Sequence, residues 1–433
     1  SDSNDVDFYK LIPDSNGKLS INFGHVYGES SHGWKVIIYK YQDGEYIELS
    51  DTVIKLEDSE KVELPFVGVQ YGCEYYIKVQ NYNWDAVNKV YTIKTTFIRS
   101  EQYEREENDS YNKATEMKLN SSYTGTLNNN NDIDIYRINA TGNGKIELTF
   151  EHVYTDDSHG WDIIIYRYTN GEYQELSNDR VTLKDNEKYR LPYIGAVSDG
   201  IYYVKIKNYN WRAVGKEYVI RNNFQQSDYY EKEENNSYTT ATDLKIGEKY
   251  NGTLNSNSDK DFWKITATKK GYIKLSFGHD YIDDYHGWNV YVYQYVNGEY
   301  KELSSQTISL KDNKLIQLKG ISAQSGGIYY VTITNYNWNA VGVNYTLKAA
   351  YSIGKPYRKI ILKWDRGNAV NGYEVYCKVG NGKYKKIANT LTNSYTYKKL
   401  SKKKTCYFKV RSYVINNGVK EYSGFTAVVK ARA

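Results

Sequence analysis

The chain has 433 residues, with 57 Lys and Arg against 52 Asp and Glu, 40% hydrophobic and 15% aromatic residues, 4 Pro and 3 Cys. A single core stops growing near roughly 250–300 residues, so two to four domains are expected. Tyr alone fills 49 positions, and alternating runs of Val, Ile, Tyr, Thr and Lys favour half-buried strands, which excludes collagen-like, coiled-coil and disordered chains. No apolar stretch approaches the ~20 residues of a membrane helix, and the polar first ten residues read as a strand edge and not as a signal peptide.

Along the chain, one period organises the first 350 residues. Asp5 and Asp7 recur as Asp132 and Asp134, then as Asp259 and Asp261. His32-Gly33-Trp34 recurs at His159 to Trp161 and His286 to Trp288, and Asn81-Tyr82-Asn83-Trp84 recurs at 208–211 and 335–338, each 127 positions further on. A unit of that size can bury its own core, so three autonomous repeats are expected at 1–98, 101–225 and 228–352. Repeat 1 lacks a counterpart of residues 101–127. The expectation is therefore a fragment of a longer polypeptide, or a repeat completed by another segment.

Repeat 2 shows the pattern most fully. A first strand is expected over 122–127, then 145–150 with polar and apolar residues alternating, then the β-prone run 161–168. Asn170-Gly171 marks a tight hairpin, and 201–207 and 217–221 supply two more strands. About eight short strands per copy imply an antiparallel sandwich or jelly roll. From about Lys355 the period ends. Residues 352–433 hold 19 Lys and Arg against 3 Asp and Glu, net +16, which leaves residues 1–351 with 38 against 49, net −11. Strands are expected there at 360–364, 372–377, 394–397, 406–413 and 425–429, forming a small sandwich over 355–433.

Two resemblances rest on these residues. The last segment has Trp364, Gly372-Tyr-Glu-Val-Tyr376 and Tyr407-Phe-Lys-Val-Arg-Ser-Tyr413, and it resembles a fibronectin type III (Ig-like) domain. Each full repeat has an acidic linker, a Gly-Thr-Leu strand and Asp-x-Asp before an aromatic: Glu104, Glu106, Asn108, Asp109, Gly125 to Leu127, Asp132, Asp134, Tyr136 in repeat 2. Repeat 3 has Glu231, Glu233, Asn235, Asn236, Gly252 to Leu254, Asp259, Asp261 and Trp263. These units resemble the bacterial pre-peptidase C-terminal domain, whose relatives include the collagen-binding domains of clostridial collagenases. The resemblance implies jelly-roll-like sandwiches attached to secreted or cell-surface proteins, extracellular, and acting by binding.

The same resemblance implies calcium. Hard cations take six to eight oxygen ligands, and in the collagen-binding relatives the linker and loop acids hold the ion. The positions carried over are Glu104, Glu106, Asn108, Asp109, Asp132 and Asp134, and Glu231, Glu233, Asn235, Asn236, Asp259 and Asp261. Asn236 replaces an acid, and repeat 1 keeps only Asp5 and Asp7. The alternative is a solvated linker with Asp side chains capping turns. No organic cofactor is expected.

All six histidines recur in register: His25 and His32, His152 and His159, His279 and His286. An acid lies between each pair, Glu29, Asp156 or Asp283, so zinc ligation competes with simple hydrogen bonding that pins a loop. The Asn-Tyr-Asn-Trp loops offer aromatic faces beside amides, suited to sugars or extended peptides. Tyr82, Asn83, Trp84, Tyr209, Asn210, Trp211, Tyr336, Asn337 and Trp338 are candidates, with Trp34, Trp161 and Trp288 as further ligand-binding or core residues. Within the fibronectin-like arrangement, Cys377 and Cys406 lie on neighbouring strands at facing positions, and a disulfide is expected. Clustered Lys398, Lys399 and 402–404 suit a polyanion such as wall teichoic acid or sulfated glycan; the extracellular resemblance disfavours nucleic acid.

Catalysis finds little support, because Gly-x-Ser-x-Gly, His-Glu-x-x-His and a phosphate-cradling Gly-rich loop are all lacking. A cysteine nucleophile has Cys73 in repeat 1 and no counterpart in the other copies. The expected function is a non-catalytic adhesion array on a bacterial secreted or surface protein, attaching it to host matrix, glycan or cell wall. Alternatives are the accessory region of a secreted peptidase or glycoside hydrolase, and a structural stalk or fibre subunit.

Overall fold

The computed structural model describes residues 4–210, 212–336, 340–352, 359–398 and 404–432. Every regular element among them is a β-strand, and no helix is long and apolar enough to cross a membrane. The chain divides into two compact units, Ser1–Tyr351 and Ser352–Ala433.

In repeat 2 of the first unit, the strand Gly144–His152 buries every second residue. Ile146, Leu148 and Phe150 point inward against Trp161, Ile163 and Ile165 of Gly160–Thr169, all within one core cluster. Full burial of such side chains contributes roughly 1.5–3 kcal/mol each, which is why the alternation dictates a two-layer sandwich. One sheet runs in the order Ser122–Thr126, Glu217–Gln226, Gly144–His152, Lys188–Arg190, with Ile194–Ala196 also on Gly144–His152. The other runs Glu172–Thr182, Gly160–Thr169, Ile201–Tyr209, Ile133–Asn139, Thr115–Glu116. The expected hairpin turn is present, with Asn170 at φ 52° and Gly171 at φ 85°, the left-handed pair that a two-residue turn requires. Sequence patterning misses the strands Thr115–Glu116, Lys188–Arg190 and Ile194–Ala196, whose two or three residues are too short to show a period, and also the seven-residue Ile133–Asn139.

Repeat 3 repeats both sheet orders, except that Leu315–Ala323 is continuous where repeat 2 has two short pieces. Repeat 1 has the same frame with two differences among the described residues. Tyr91–Arg99 pairs on one side with Gly17–His25, and Val6–Leu11 pairs on one side with Glu74–Tyr82.

Successive repeats are joined through the acidic linkers. The buried Lys40 of repeat 1 donates to the Glu106 carbonyl at 3.0 Å, and Gln70 donates to the same oxygen at 3.3 Å. Arg167 makes the equivalent bond to the Glu233 carbonyl. Gly68 and Gly195 sit where a Cβ would lie 2.2 Å from the Glu104 carbonyl oxygen and 2.6 Å from that of Glu231. Both glycines are thus required by the close approach of the next linker. The third copy has Gln294, Lys319 and Ser322 where the first has Lys40, Pro65 and Gly68.

The second unit is a smaller sandwich. Ile360–Lys363 pairs with Ser394–Tyr397, and the facing sheet runs Lys385–Thr390, Gly372–Val379, Thr405–Asn416, Val419–Tyr422. Leu362, Val375, Phe408 and Val410 centre the core. The strand expected at 425–429 lies instead at Val429–Arg432, paired with Thr405–Phe408. The expected disulfide is corrected. Cys377 pairs with Phe408 and Cys406 with Val379, so the two are diagonal neighbours and carry free thiols. Diagonal positions lie about 7–8 Å apart, beyond the usual Cα span of a bridge.

Candidate functional site

The acidic linker of repeat 2 folds back beneath the sandwich and brings Glu104, Glu106 and Asp134 together, with ligand oxygens all within 4.8 Å of one another. Glu231, Glu233 and Asp261 form the same group in repeat 3. All six are buried, Glu104, Asp134, Glu231 and Asp261 completely. Leaving three carboxylates unpaired in such a place is costly, so burial first, and mutual repulsion second, push Glu104, Glu106, Glu231 and Glu233 well above the usual carboxylate range.

Part of each cluster is held by hydrogen-bond donors. Tyr218 Oη donates to Asp134 Oδ2 at 2.6 Å, and Tyr345 Oη to Asp261 Oδ2 at 2.6 Å. The Thr126 and Thr253 amides donate to Glu104 Oε1 at 2.7 Å and Glu231 Oε1 at 2.6 Å. Asn128 Nδ2 donates to Glu106 Oε1 at 2.8 Å, and Asn255 Nδ2 to Glu233 Oε1 at 3.1 Å. What stays unsatisfied is all oxygen: Asn108 Oδ1, Asn128 Oδ1 and Asp134 Oδ1 in repeat 2, and Asn255 Oδ1 in repeat 3. These buried oxygens are a set that could hold a metal ion, and oxygen ligands of this kind are those calcium takes.

Of the positions carried over from the family resemblance, Asp109 and Asn236 stand apart. Both are exposed and accept a backbone N–H at 3.0 Å, from Ile133 and Lys260 respectively. The exchange of Asp for Asn there therefore leaves the third repeat's acid cluster intact. Asp132 and Asp259 are buried and accept the Asn128 and Asn255 amides, closing the loop beside the cluster. Sequence reasoning missed Asn128, Asn255, Tyr218 and Tyr345. The two asparagines had a usable signal, since each directly follows Gly-Thr-Leu.

The histidines do not converge on a metal. His159 Nδ1 bonds Asp157, His286 Nδ1 bonds Asp284, and His32 Nδ1 lies 3.0 Å from Asp85 Oδ2. The acids that act are thus neighbours of the expected Asp156 and Asp283, and in repeat 1 Asp85 in place of Glu29. His25, His152 and His279 are buried against the tryptophans and face the next residue's carbonyl, 2.8–3.2 Å away. Among the described residues, no group of three convergent metal-ligand side chains contains a histidine. The loop-pinning alternative accounts for their positions.

The tryptophans separate into two kinds. Trp34, Trp161 and Trp288 are buried core, with Phe150 and Trp161 centroids 5.0 Å apart, so the expectation that they contact a ligand is corrected. Trp84 is 77% exposed. It stands on a loop where Asn83 has φ 53° and Trp84 itself φ 75°. Two anchors hold that loop: Asp85, through Ser30 and His32, and the strand before it. Tyr82 is half-buried and Asn83 exposed; Tyr209 is half-buried under the Arg180 guanidinium, 3.5 Å from its ring centre; Asn210 and Tyr336 are exposed. Trp211, Asn337 and Trp338 lie outside the described residues, as do Lys399, Lys402 and Lys403 of the basic cluster.

No protein family matches in a scan of family profiles, and no curated protein matches. Among solved structures, the chain is similar to the pre-peptidase C-terminal domain of a collagenase from Bacillus anthracis, at 15% identity over 25% of this chain and 93% of that one, with a TM-score of 0.20. It is also similar to the M60 catalytic domain with CBM51-1 and CBM51-2 domains of Clostridium perfringens ZmpB, at 9% identity over 52% of this chain and 34% of that one, TM-score 0.17. A third is the CBM22-1-CBM22-2 tandem of Paenibacillus barcinonensis Xyn10C, at 11% identity over 50% and 82%, TM-score 0.16.

Proposed function

We propose that this chain is a non-catalytic, calcium-stabilised binding array of a bacterial secreted or cell-surface protein, working outside the cell as part of a longer polypeptide. The observation that carries the reading is Trp84, an indole 77% exposed on an anchored loop, while the other described repeat tryptophans are core. Large exposed aromatics on rigid loops commonly mark contact with a ligand, and indole beside amide suits a glycan or an extended protein segment. Three tethered copies would multiply weak single-site affinities. The acid clusters serve the scaffold: calcium in them neutralises buried carboxylates and fixes the linkers. Residues 355–433 are a fibronectin type III module in this reading, a spacer whose basic face suits a polyanion.

The test is binding of the labelled chain to collagens, mucins, plant and host glycans and bacterial cell walls, beside the triple variant Trp84→Ala, Trp211→Ala, Trp338→Ala. Binding that the folded variant loses supports the array; binding that the variant keeps removes the loops from it. The interlocked repeat junctions favour one second reading, a structural stalk, which absence of binding across the whole panel would select.

A further inference from the structure

The second unit is strongly basic, and its charge is not spread evenly. Residues 352–433 hold 19 Lys and Arg against three acids, Asp365, Glu374 and Glu421. In the sheet that contains Gly372–Val379 and Thr405–Asn416, Val375, Cys377, Phe408 and Val410 face the core. The alternate residues of both strands therefore face outward. The register sets Glu374 opposite Arg411, Tyr376 opposite Lys409 and Lys378 opposite Tyr407. Each of these cross-strand pairs joins one cation to an acid or to an aromatic ring.

On that face rings and cations alternate in one row. The Lys378 ammonium lies 4.9 Å from the Tyr407 ring centre and 5.2 Å from that of Tyr384. Lys409 lies 4.5 Å from Tyr384 and 3.7 Å from Phe425. Arg411 closes the row, its guanidinium 5.1 Å from Phe425 and 3.7 Å from Tyr422. Contacts at this range hold long side chains that would otherwise sample many rotamers. Glu374 is buried beneath the row, where Arg411 Nη2 donates to its Oε2 at 2.7 Å and Lys386 Nζ to its Oε1 at 3.0 Å. Glu421 adjoins Tyr422 in its strand and so points to the other face, accepting Asn416 Nδ2 at 2.9 Å. Asp365 follows the strand Ile360–Lys363 of the opposite sheet. Among the described residues, Lys378 and Lys409 thus have no carboxylate partner.

We infer that this outer face is a binding site for a sulfated polysaccharide, an inference that rests on the polyanion reading of the basic module and is independent of the Trp84 loops. Charge complementarity carries it: Lys378 and Lys409 are fixed in place, lack an acid of their own and can donate to sulfate oxygens. The rings supply the second half of the match. Tyr422 and Phe425 remain 43% and 41% exposed beside the cations, offering carbon surface to the C–H faces of sugar rings. A polyol phosphate would bring the charge without the sugar ring. A nucleic acid would need open ring faces on which to stack its bases, and here the chain's own cations occupy ring faces along the row.

The test is calorimetric titration of the full chain with heparin over a series of salt concentrations. Heparin stripped of its sulfates, an inorganic polyphosphate of matched charge and single-stranded DNA are titrated beside it. Heparin should bind with an affinity that falls steadily as salt rises, and each of the other three polymers should bind at least about tenfold more weakly. Lys378→Gln with Lys409→Gln should weaken heparin at least about tenfold, because charge-assisted hydrogen bonds are the strong ones. Lys378→Arg with Lys409→Arg keeps both charges and should restore binding. Lys359→Gln with Lys363→Gln, at the strand of the opposite sheet, removes the same charge and should change affinity by less than about twofold, since charges beyond a Debye length are largely screened. No heparin binding, equal losses in the two glutamine pairs, an arginine pair no better than the first glutamine pair, or polyphosphate or DNA bound as tightly as heparin would overturn the inference. Heparin binding lost in the triple tryptophan variant and kept in the lysine variants would also overturn it, by moving the site to the loops. A chain that binds a neutral ligand of the earlier panel but not heparin sinks this inference and leaves the array reading standing.

Discussion

The Lys40 ammonium of the first repeat donates to the Glu106 main-chain carbonyl, 3.0 Å away, in the linker that carries the second repeat's acids. It does so from a buried position, and that burial depresses its basicity. Hydrogen bonds from charged donors contribute about 1.5–3 kcal/mol, while methionine of similar length would recover part of that by packing. Lys40→Met is expected to loosen the junction by about 1–2 kcal/mol, seen as faster proteolysis around residues 98–103 with the melting of the isolated sandwiches unchanged. An unaltered cleavage rate would show that the Gln70 bond and the close approach at Gly68 alone hold it.

Calcium should raise the melting temperature and chelator should lower it, because an ion that binds only the folded state adds about 2.7 kcal/mol at a hundredfold excess over Kd. Glu104→Gln with Glu106→Gln should abolish one of two bound ions and leave the other. Two ions retained in that variant would place the site elsewhere.

The pH response should change sign with calcium. Burial, then neighbouring carboxylates, hold Glu104, Glu106, Glu231 and Glu233 well above their ordinary values, and burial lifts Asp259 to about 6. Acids raised in the folded state contribute stability that is present below their unfolded values and lost as pH rises through the folded ones. The calcium-stripped chain should therefore melt at a lower temperature at pH 8 than at pH 5. With saturating calcium the fall should vanish or reverse, since protons then compete with the ion. A stripped chain whose melting temperature rises over that interval would contradict the buried clusters.

Trp161→Ala should cost about 3–5 kcal/mol, the range for an emptied aromatic core position. Trp84→Ala should change stability by less than about 0.5 kcal/mol, as an exposed side chain away from the core does. Chemical denaturation of the two single variants measures both, and equal effects would contradict the division of the tryptophans.

Thiol labelling should find Cys377 and Cys406 protected in the native chain and free in denaturant. Cys377 is buried, and burial with the adjacent Cys406 lifts its thiol to about 11, so little thiolate exists near neutrality. Only one reactive thiol in denaturant would restore the disulfide.

What the sequence made legible follows from where the information lies. The 127-residue spacing located the repeats because Asp, His-Gly-Trp and Asn-Tyr-Asn-Trp keep register without insertion. The alternation over 145–150 was readable because one face of that strand meets a core and the other meets solvent. The acid clusters came from motif and family likeness, but their supports did not, because Tyr218 is 84 positions from the Asp134 it serves. In repeats 2 and 3 the histidine partners were missed by a single residue, a distance within a loop that spacing cannot resolve, and in repeat 1 the partner Asp85 stands on a different loop from the expected Glu29. The cysteine pair failed for a similar reason, since neighbouring strands were foreseen and their register was not. Buried and exposed tryptophans look alike in one sequence; only the packing of Phe150 on Trp161 separates them.

The glycine at 68 and 195, and its replacement by Ser322, also bears on how such an array can lengthen. A duplicated third unit placed in the interior would set a hydroxymethyl group against the following linker, at a point where the first two copies leave only 2.2 and 2.6 Å to the carbonyl oxygen. Growth by tandem duplication is thus open to the glycine-bearing units and closed to the serine-bearing one. Length variants of this gene should multiply the former and keep a single copy of the latter at the border with the basic sandwich.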